Sequence, residues 1–162
     1  GDSVLKHADK NPNTAGVTAL CTSSPPKSFA EMAKDIVDGR ITHVVALGSY
    51  SSDATRTDAL SKLQGLVTFA TREGPMAKHA TVVLPVSSWA ECDGTFVNAK
   101  GMAQESEKAI APRGDSLPAW RLVAVLAKEL GLPMAWTKLA QVRKAMAPEA
   151  GATVAQSTGA EA

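Results

Sequence analysis

The chain has 162 residues, of which 44% are hydrophobic and 20% are charged, and its formal net charge is +1. This length and near-average composition fit one globular domain with a single core. The near-neutral charge gives no electrostatic reason to expect a nucleic acid as partner. The longest clean apolar run, Leu122 to Ala127, is too short to cross a bilayer, which takes about 20 residues. No direct insertion into a membrane is therefore expected.

The N-terminal part of the sequence changes character at residue 17. Residues 1–16 are polar and rich in turn formers, which predicts a segment that leads into the domain. The apolar run at residues 17–22 is predicted to be a first strand. Ser28 with Glu31 forms the pattern of a capping box, and Gly39 supplies the left-handed stop of the helix that follows.

Three further apolar runs alternate with helical patterns. The strands are predicted at residues 42–47, 66–71 and 81–84, and the helices between them at residues 55–64 and 74–79. Strands that alternate with helices over short connections are typical of a parallel sheet covered by helices. The sequence therefore predicts an α/β, Rossmann-like domain over residues 17–131, with a wound, mainly parallel four-stranded sheet and flanking helices.

The alternation stops at Pro85. Residues 86–116 are rich in turn formers, which predicts a long irregular segment of the kind that is usually functional or interfacial. A helix over residues 118–130 is apolar nearly all round, so it should be well buried. Residues 132–147 are predicted to hold a terminal helix, and residues 148–162 a disordered tail.

The reactive side chains do not form a recognised catalytic pattern. His7, His43 and His79 lie in three separate segments, and the sequence has no GxSxG, HExxH or Walker loop. Cys21 and Cys92 are far apart and lack the paired spacing of zinc or iron–sulphur ligands. We therefore expect two reduced thiols, no catalytic residue and no metal ligand in this chain.

A small-residue loop follows the strand predicted at residues 42–47. It reads Gly48-Ser49-Tyr50-Ser51, at the edge where wound α/β sheets bind their ligands. Small residues there let a phosphate approach the backbone, but strand-to-helix turns favour Gly and Ser in any case. Since no GxGxxG is present, an ordinary turn is favoured, and a free-standing nucleotide-binding module is kept as an alternative.

The most specific pattern begins at the last predicted strand. It reads Ala80-Thr-Val-Val-Leu-Pro85, then Glu91-Cys-Asp-Gly-Thr-Phe-Val-Asn98, then Gly101-Met-Ala-Gln104, and an ADKNPN sequence lies near the N-terminus. In this order the segments resemble the molybdopterin oxidoreductase fold of complex I large iron–sulphur chains and of formate dehydrogenases. The resemblance runs from about residue 7 to residue 131, and the combined spacing is more specific than any single segment.

The central segment of this pattern also has a direct physical interpretation. Gly94 permits a backbone angle that a side chain would forbid, while Thr95 and Asn98 can bond main-chain groups of an irregular loop. Glu91 can accept N–H bonds from the same loop. The residues themselves thus favour loop architecture over catalysis.

In the molybdenum enzymes of the family, the same region lies beside the pterin-guanine cofactor. The resemblance implies cofactor contacts here that are vestigial at most, at Gly48, Ser49, Glu91, Gly94, Thr95, Asn98 and Gln104. Two departures weaken those contacts further. Met102 replaces the Arg of the family's G-R-x-Q, and the loop at Gly48 lacks the Asn of the family's G-x-N-P.

Both departures favour the complex I branch. The resemblance then implies a non-catalytic scaffold in the C-terminal half of a large iron–sulphur chain of NADH–quinone oxidoreductase, whose parent passes electrons from NADH towards quinone. It also implies iron–sulphur clusters in the N-terminal part of the parent, no cofactor in this part, and a cytoplasmic location peripheral to the inner membrane. The expected partners are other domains of the parent and neighbouring peripheral-arm subunits of complex I. The alternative is part of a pterin-guanine-dependent enzyme such as a formate dehydrogenase.

Overall fold

A computed structural model describes residues 13–21, 26–48, 57–98, 100–134 and 136–146. Its helices are α1 (Thr14–Leu20), α2 (Phe29–Val37), α3 (Ala119–Glu129) and α4 (Leu139–Met146), and its strands are β1 (His43–Leu47), β2 (Gly65–Ala70), β3 (Val82–Pro85), β4 (Gly94–Val97) and β5 (Ala103–Ser106). Short 3₁₀ helices cover Asp58–Lys62 and Pro75–His79. None of the helices in these ranges is long and apolar enough to cross a membrane.

The described residues group into two compact units. The sheet unit draws on Lys27–Cys92 and Lys108–Thr137, and the hairpin unit on Gly1–Pro26, Asp93–Glu107 and Lys138–Ala162. This grouping differs from the boundaries predicted from sequence, which placed residues 17–131 in one domain. The hairpin unit is therefore assembled from three segments that are far apart in the chain.

The sheet unit contains a parallel sheet in the order β1-β2-β3. Val45 lies opposite Val67, and Val67 lies opposite Val82. A parallel bridge between Val86 and Leu117 lies just beyond β3. The predicted α/β class is confirmed, and the strands predicted at 42–47, 66–71 and 81–84 agree with β1, β2 and β3 to within one residue.

One face of the sheet carries the main core. Leu66 of β2 packs with Ile36 of α2 and with Leu60 and Met76 of the two 3₁₀ helices. Ile36 and Leu60 precede β2 in the chain and Met76 follows it, yet all three pack with Leu66, because each helical segment crosses back over the same face of the sheet. Burial of this cluster is the main force that holds the helical layer on the sheet.

Helix α2 begins and ends as its sequence predicts. The Ser28 hydroxyl accepts from the Glu31 amide at 3.3 Å, and the Ser28 amide donates to the Glu31 carboxylate at 2.8 Å. Gly39 ends the helix with a φ of 72°. Inside the helix, the carboxylate of the buried Asp35 accepts hydrogen bonds from Lys27 Nζ at 2.6 Å and from Arg40 Nε at 3.0 Å. The Lys27 and Arg40 hydrogen bonds lower the pKa of Asp35 below its ordinary value, so this carboxylate stays charged although it is buried.

The predicted first strand at residues 17–22 is wrong. Residues 14–20 form helix α1, which follows Asn13 in a left-handed conformation. A short apolar run reads equally well as a strand or as a helix that buries one side. The parallel sheet consequently has three strands among the described residues, and not the four predicted.

The prediction of a wholly irregular segment at residues 86–116 is also wrong in part. Residues 94–106 hold the antiparallel hairpin of β4 and β5, in which Gly94 lies opposite Ser106. Each strand has only four residues, which is too short for the alternation of polar and apolar residues to be visible in sequence.

The two C-terminal helices are less extensive than predicted. In α3 the buried residues are Ala124 and Ala127, while Val125 is about half exposed, so the expectation of a well-buried helix is wrong. The terminal helix α4 begins only at Leu139. The predictions for His7, for residues 8–12 of the ADKNPN sequence and for the tail at 148–162 concern residues outside the described ranges.

Thr68 occupies the middle of β2 and has a relative exposure of 0%. Its hydroxyl has no hydrogen-bond partner among the described residues, and a buried polar group without a partner costs stability. We expect Thr68→Val, which keeps the β-branched shape, to raise the free energy of unfolding by about 1 kcal/mol. Urea denaturation of the two proteins measures this difference. Thr81→Val is a suitable control, since the Thr81 hydroxyl accepts from the Leu66 amide at 3.2 Å and its loss should destabilise.

Candidate functional site

The family-like segment begins with a buried carboxylate at the end of the sheet unit. Glu91 has a relative exposure of only 8%, and its Oε2 accepts from the Ser88 amide at 2.8 Å. The amide and hydroxyl of Ser88, and then the amide of Arg113, hold the pKa of Glu91 below its ordinary value despite the opposing effect of burial. The carboxylate therefore ties the turn after β3 to the segment around residue 113.

Backbone contacts reinforce the same turn. The Ala90 carbonyl accepts from the amides of Ala109 at 2.8 Å and Ile110 at 3.1 Å, and the Ser87 amide donates to the Leu117 carbonyl at 2.9 Å. Glu91 thus acts within a closed loop structure. The sequence-based expectation that it accepts N–H bonds from its own loop is confirmed.

Glu91→Gln is expected to destabilise the sheet unit, because an amide replaces one of the carboxylate oxygens that accept these bonds. The pKa of Glu91 is lower in the folded than in the unfolded state, so its contribution is fully present above the ordinary glutamate pKa of about 4.3 and is lost as the pH falls through the lower folded value. Denaturant midpoints measured from neutral to acidic pH should show a wild-type advantage that shrinks in this window. The exposed Glu129→Gln is the control for replacing a glutamate and should leave the denaturant midpoint at neutral pH almost unchanged. An advantage of wild type over Glu91→Gln that persists at the most acid pH would contradict the role given to Glu91.

Asn98 closes the turn of the hairpin. Its side-chain Oδ1 accepts from the backbone amides of Lys100 at 2.9 Å and Met102 at 3.0 Å. Its backbone amide donates to the Met102 carbonyl at 3.1 Å. Gly101 in the same turn has a φ of 78°, which favours glycine. The prediction that Asn98 bonds main-chain groups of its loop is confirmed.

The other end of the hairpin is held by a residue that sequence reasoning missed. Arg143 of α4 donates from Nη2 to the Gly94 carbonyl at 3.0 Å and from Nε to Thr95 Oγ1 at 3.2 Å. Its Nη1 lies 2.8 Å from a carboxylate oxygen of Glu105 in β5. No motif marks Arg143, because a single basic residue on a short polar helix looks like an ordinary exposed residue.

A second contact missed from sequence comes from the N-terminal side. The Val97 amide donates to Asn13 Oδ1 at 2.8 Å, and a side chain on Gly16 would meet that oxygen and the Val97 side chain. The last Asn of the lead-in therefore binds the first strand of the hairpin. Its placement at the end of ADKNPN is the signal that could have indicated this contact.

The residues predicted as cofactor contacts are divided between the two units, and each is described within its own unit. Thr95 pairs with Glu105 and Phe96 pairs with Gln104, so Thr95 and Gln104 lie on opposite faces of the hairpin. Glu91 and Gly48 belong to the sheet unit. Gly48 has a φ of 104° and its amide donates to the Phe69 carbonyl at 2.7 Å. Ser49 lies outside the described residues.

Metal-binding side chains are likewise dispersed. Across the part of the chain that the structure describes, His, Cys, Asp and Glu residues form no group of three or more that could hold a metal ion. Cys21 and Cys92 form no disulfide among the described residues, and Cys92 Sγ donates to the Ser88 carbonyl at 3.2 Å.

Comparison with known proteins then decides the family. The sequence model of the molybdopterin oxidoreductase family matches residues 5–129. The chain belongs to the molybdopterin oxidoreductase family. This match covers the hairpin, the three parallel strands and α3, and it confirms the family-level resemblance inferred from the sequence.

Proteins similar to this chain include formate dehydrogenases. The chain is 36% identical over 95 residues to the F420-dependent formate dehydrogenase 2 subunit alpha of Methanococcus maripaludis, a stretch that covers 57% of this chain and 14% of the relative. It is 47% identical over 55 residues to the F420-dependent formate dehydrogenase subunit alpha of Methanocaldococcus jannaschii, covering 34% of this chain and 8% of the relative. A Staphylococcus aureus protein provisionally named a formate dehydrogenase is 34% identical over 113 residues, 65% of this chain and 11% of the relative.

These relatives change the weight of the two sequence-based hypotheses. The matched stretches span about a tenth of the length of these curated relatives. Since the relatives are formate dehydrogenase subunits, they support the alternative prediction better than the complex I prediction. Molybdopterin oxidoreductases use a molybdopterin cofactor, which raises the question whether this chain's own residues fit it.

The described residues of this molybdopterin oxidoreductase chain do not fit a pterin-guanine cofactor. Asn98 and Glu91 use their side-chain oxygens on their own loops, and Thr95 is bonded to Arg143. Met102, at the position where the sequence resemblance expects an Arg, is exposed and offers no cationic donor for phosphate. No step of a reaction is therefore assigned to residues of this chain.

Proposed function

We propose that this chain is a non-catalytic scaffold segment of a molybdopterin-dependent oxidoreductase of the formate dehydrogenase type. Family membership over residues 5–129 and the similarity to formate dehydrogenase alpha subunits support the type of parent protein. The observation that carries the scaffold role is the internal use of the Glu91 and Asn98 oxygens. In this proposal the parent's other parts hold the cofactor and perform the chemistry.

The proposal separates two kinds of variant. Asn98→Ala removes the acceptor of two amides at 2.9 and 3.0 Å, so the hairpin turn should loosen and assembly of the parent should fall. Gln104→Ala lies on an exposed strand position and should leave assembly unchanged. If Gln104 held the cofactor, its replacement would instead lower the pterin content at constant yield of assembled protein.

The test uses the intact protein that carries this chain. We expect purified wild type to contain molybdenum or tungsten together with pterin-guanine and to oxidise formate with an artificial electron acceptor. The Gln104→Ala protein should keep the wild-type ratio of pterin to protein, and Asn98→Ala should lower the yield of assembled protein. Wild type that assembles without pterin would refute the formate dehydrogenase type, and a pterin loss confined to Gln104→Ala would refute the scaffold role.

A second candidate is a scaffold of the large iron–sulphur chain of NADH–quinone oxidoreductase. Met102, which is exposed and stands where the family has Arg, favours it, and so does the absence of Asn from the loop that begins at Gly48. This parent would hold iron–sulphur clusters, contain no pterin at all and oxidise NADH with a quinone as acceptor. Metal and pterin analysis of the same preparation distinguishes the two candidates.

A further inference from the structure

Three acceptors on the hairpin converge on one guanidinium. They are the Gly94 carbonyl, Thr95 Oγ1 and the Glu105 carboxylate, and they lie 3.0, 3.2 and 2.8 Å from Nη2, Nε and Nη1 of Arg143. Each nitrogen of the planar group therefore has its own acceptor. Such a fork of donors matches a fixed set of acceptors better than a point charge does.

The strand register holds the acceptors in place. Gly94 and Thr95 are neighbours on β4, and Glu105 lies directly opposite Thr95 on β5. Two of the three acceptors are neutral oxygens, and one is a backbone carbonyl that no side-chain substitution removes. Arg143 has a side-chain exposure of only 29%, so these bonds are partly protected from water and should contribute more than an exposed ion pair.

Arg143 reaches this place from outside the family-matched range. The match ends at residue 129, while α4 begins at Leu139 and buries Val142 beside Arg143. The Gly-Thr pair of the family-like segment is thus bound in this chain by a group that the family pattern does not include. Val142 buries apolar surface of the same helix, and Arg143 supplies the specific polar contact with the hairpin.

We propose that Gly94, Thr95 and Glu105 form a guanidinium-binding site, which Arg143 occupies and through which α4 is fixed to the hairpin. The proposal goes beyond the scaffold function, because it assigns a ligand class to these residues whatever cofactor the parent holds. It predicts selectivity for a guanidinium over an ammonium ion. Lysine retains the charge near Glu105, but its single nitrogen cannot occupy the three separate positions from which Nη2, Nε and Nη1 of Arg143 reach their acceptors.

The test is chemical rescue in the intact protein that carries this chain. Arg143→Gly should raise the rate of hydrogen exchange of the amides in residues 94–106 by about tenfold, since the charge-assisted contacts of Arg143 with Gly94, Thr95 and Glu105 are lost. Millimolar ethylguanidinium should restore most of the protection, and ethylammonium at the same concentration should not. Arg143→Lys should exchange as Arg143→Gly does.

Lys144→Gly is the matched control, because it introduces the same glycine one position along the same helix at an exposed residue. It should leave the hairpin amides protected. Equal exchange in Lys144→Gly and Arg143→Gly, or equal rescue by both cations, would overturn the proposal. If Arg143→Gly does not fold, Thr95→Val and Glu105→Gln in the Arg143 protein replace it: each should raise exchange in residues 94–106, and no rise in either would equally overturn the site. Pterin content plays no part in these outcomes, so the formate dehydrogenase proposal stands or fails separately.

Discussion

Replacing Phe69 with alanine is expected to lower the free energy of unfolding by about 3–5 kcal/mol. Phe69 lies in the central strand of the three-stranded sheet and has a relative exposure of 1%. Leu47 and Leu84 are its direct neighbours on the two flanking strands. Removal of the ring therefore leaves a cavity that two short strands cannot easily collapse to fill. Urea denaturation followed by circular dichroism measures the loss.

Trp89→Ala is the control for the loss of an aromatic ring. Trp89 has a relative exposure of 78%, so its replacement should change the free energy of unfolding by less than about 0.5 kcal/mol. Comparable losses for Phe69→Ala and Trp89→Ala would contradict the assignment of the core to the central strand.

Gly16→Ala is expected to destabilise the protein by about 1–3 kcal/mol, although alanine is the better helix former by about 1 kcal/mol. A Cβ at residue 16 would lie 2.5 Å from Asn13 Oδ1 and 3.0 Å from Val97 Cγ2. The Asn13 oxygen cannot move away freely, because it accepts the Val97 amide at 2.8 Å. The steric clash should therefore outweigh the gain in helix propensity.

The test compares the thermal unfolding of Gly16→Ala and Thr18→Ala with that of wild type, because the two substitutions should change the stability in opposite directions. Thr18 is exposed on the same helix, so its replacement by alanine should stabilise slightly. If both substitutions stabilise, then α1 does not pack closely on the first strand of the hairpin, and the contact between Asn13 and Val97 has little energetic weight.

The sheet could be predicted from sequence because its signals are local. The runs at residues 42–47, 66–71 and 81–84 are rich in β-branched and apolar residues and are bounded by turn formers, although β1 and β3 are not covered on both faces, since Leu47 and Val83 are exposed. Ser28, Glu31 and Gly39 mark α2 through contacts within a few residues. The prediction of a strand at residues 17–22 fails because helix α1 depends on Gly16, whose lack of a side chain lets the helix pack closely on Val97. That reason concerns packing, which no local pattern contains.

The candidate site could be predicted only in its loop chemistry. Asn98 bonds amides within four residues of itself, and Glu91 bonds the nearby Ser88 amide, so residue type and spacing are sufficient to predict these contacts. The further bond of Glu91 to the Arg113 amide spans 22 positions and has no local signal. Arg143 lies 48 positions from Thr95, and an arginine on a short polar helix carries no sign of such a partner. The family is identifiable from sequence because several segments occur in a fixed order. The branch of the family depends on few residues, and the two that favour complex I, Met102 and the loop at Gly48, are outweighed by the similarity to formate dehydrogenases.

The hairpin unit has a consequence for how the protein folds. The bond between Asn13 and Val97 spans 84 positions, and the bonds of Arg143 to the Gly-Thr pair span 48 and 49. Closing loops of that length costs conformational entropy before any contact repays it, and it slows folding. During synthesis on the ribosome, the bonds from Arg143 to Gly94 and Thr95 can therefore form only after residue 143 has emerged, and until then the face of the hairpin that carries Thr95 and Glu105 is accessible to other nascent chains.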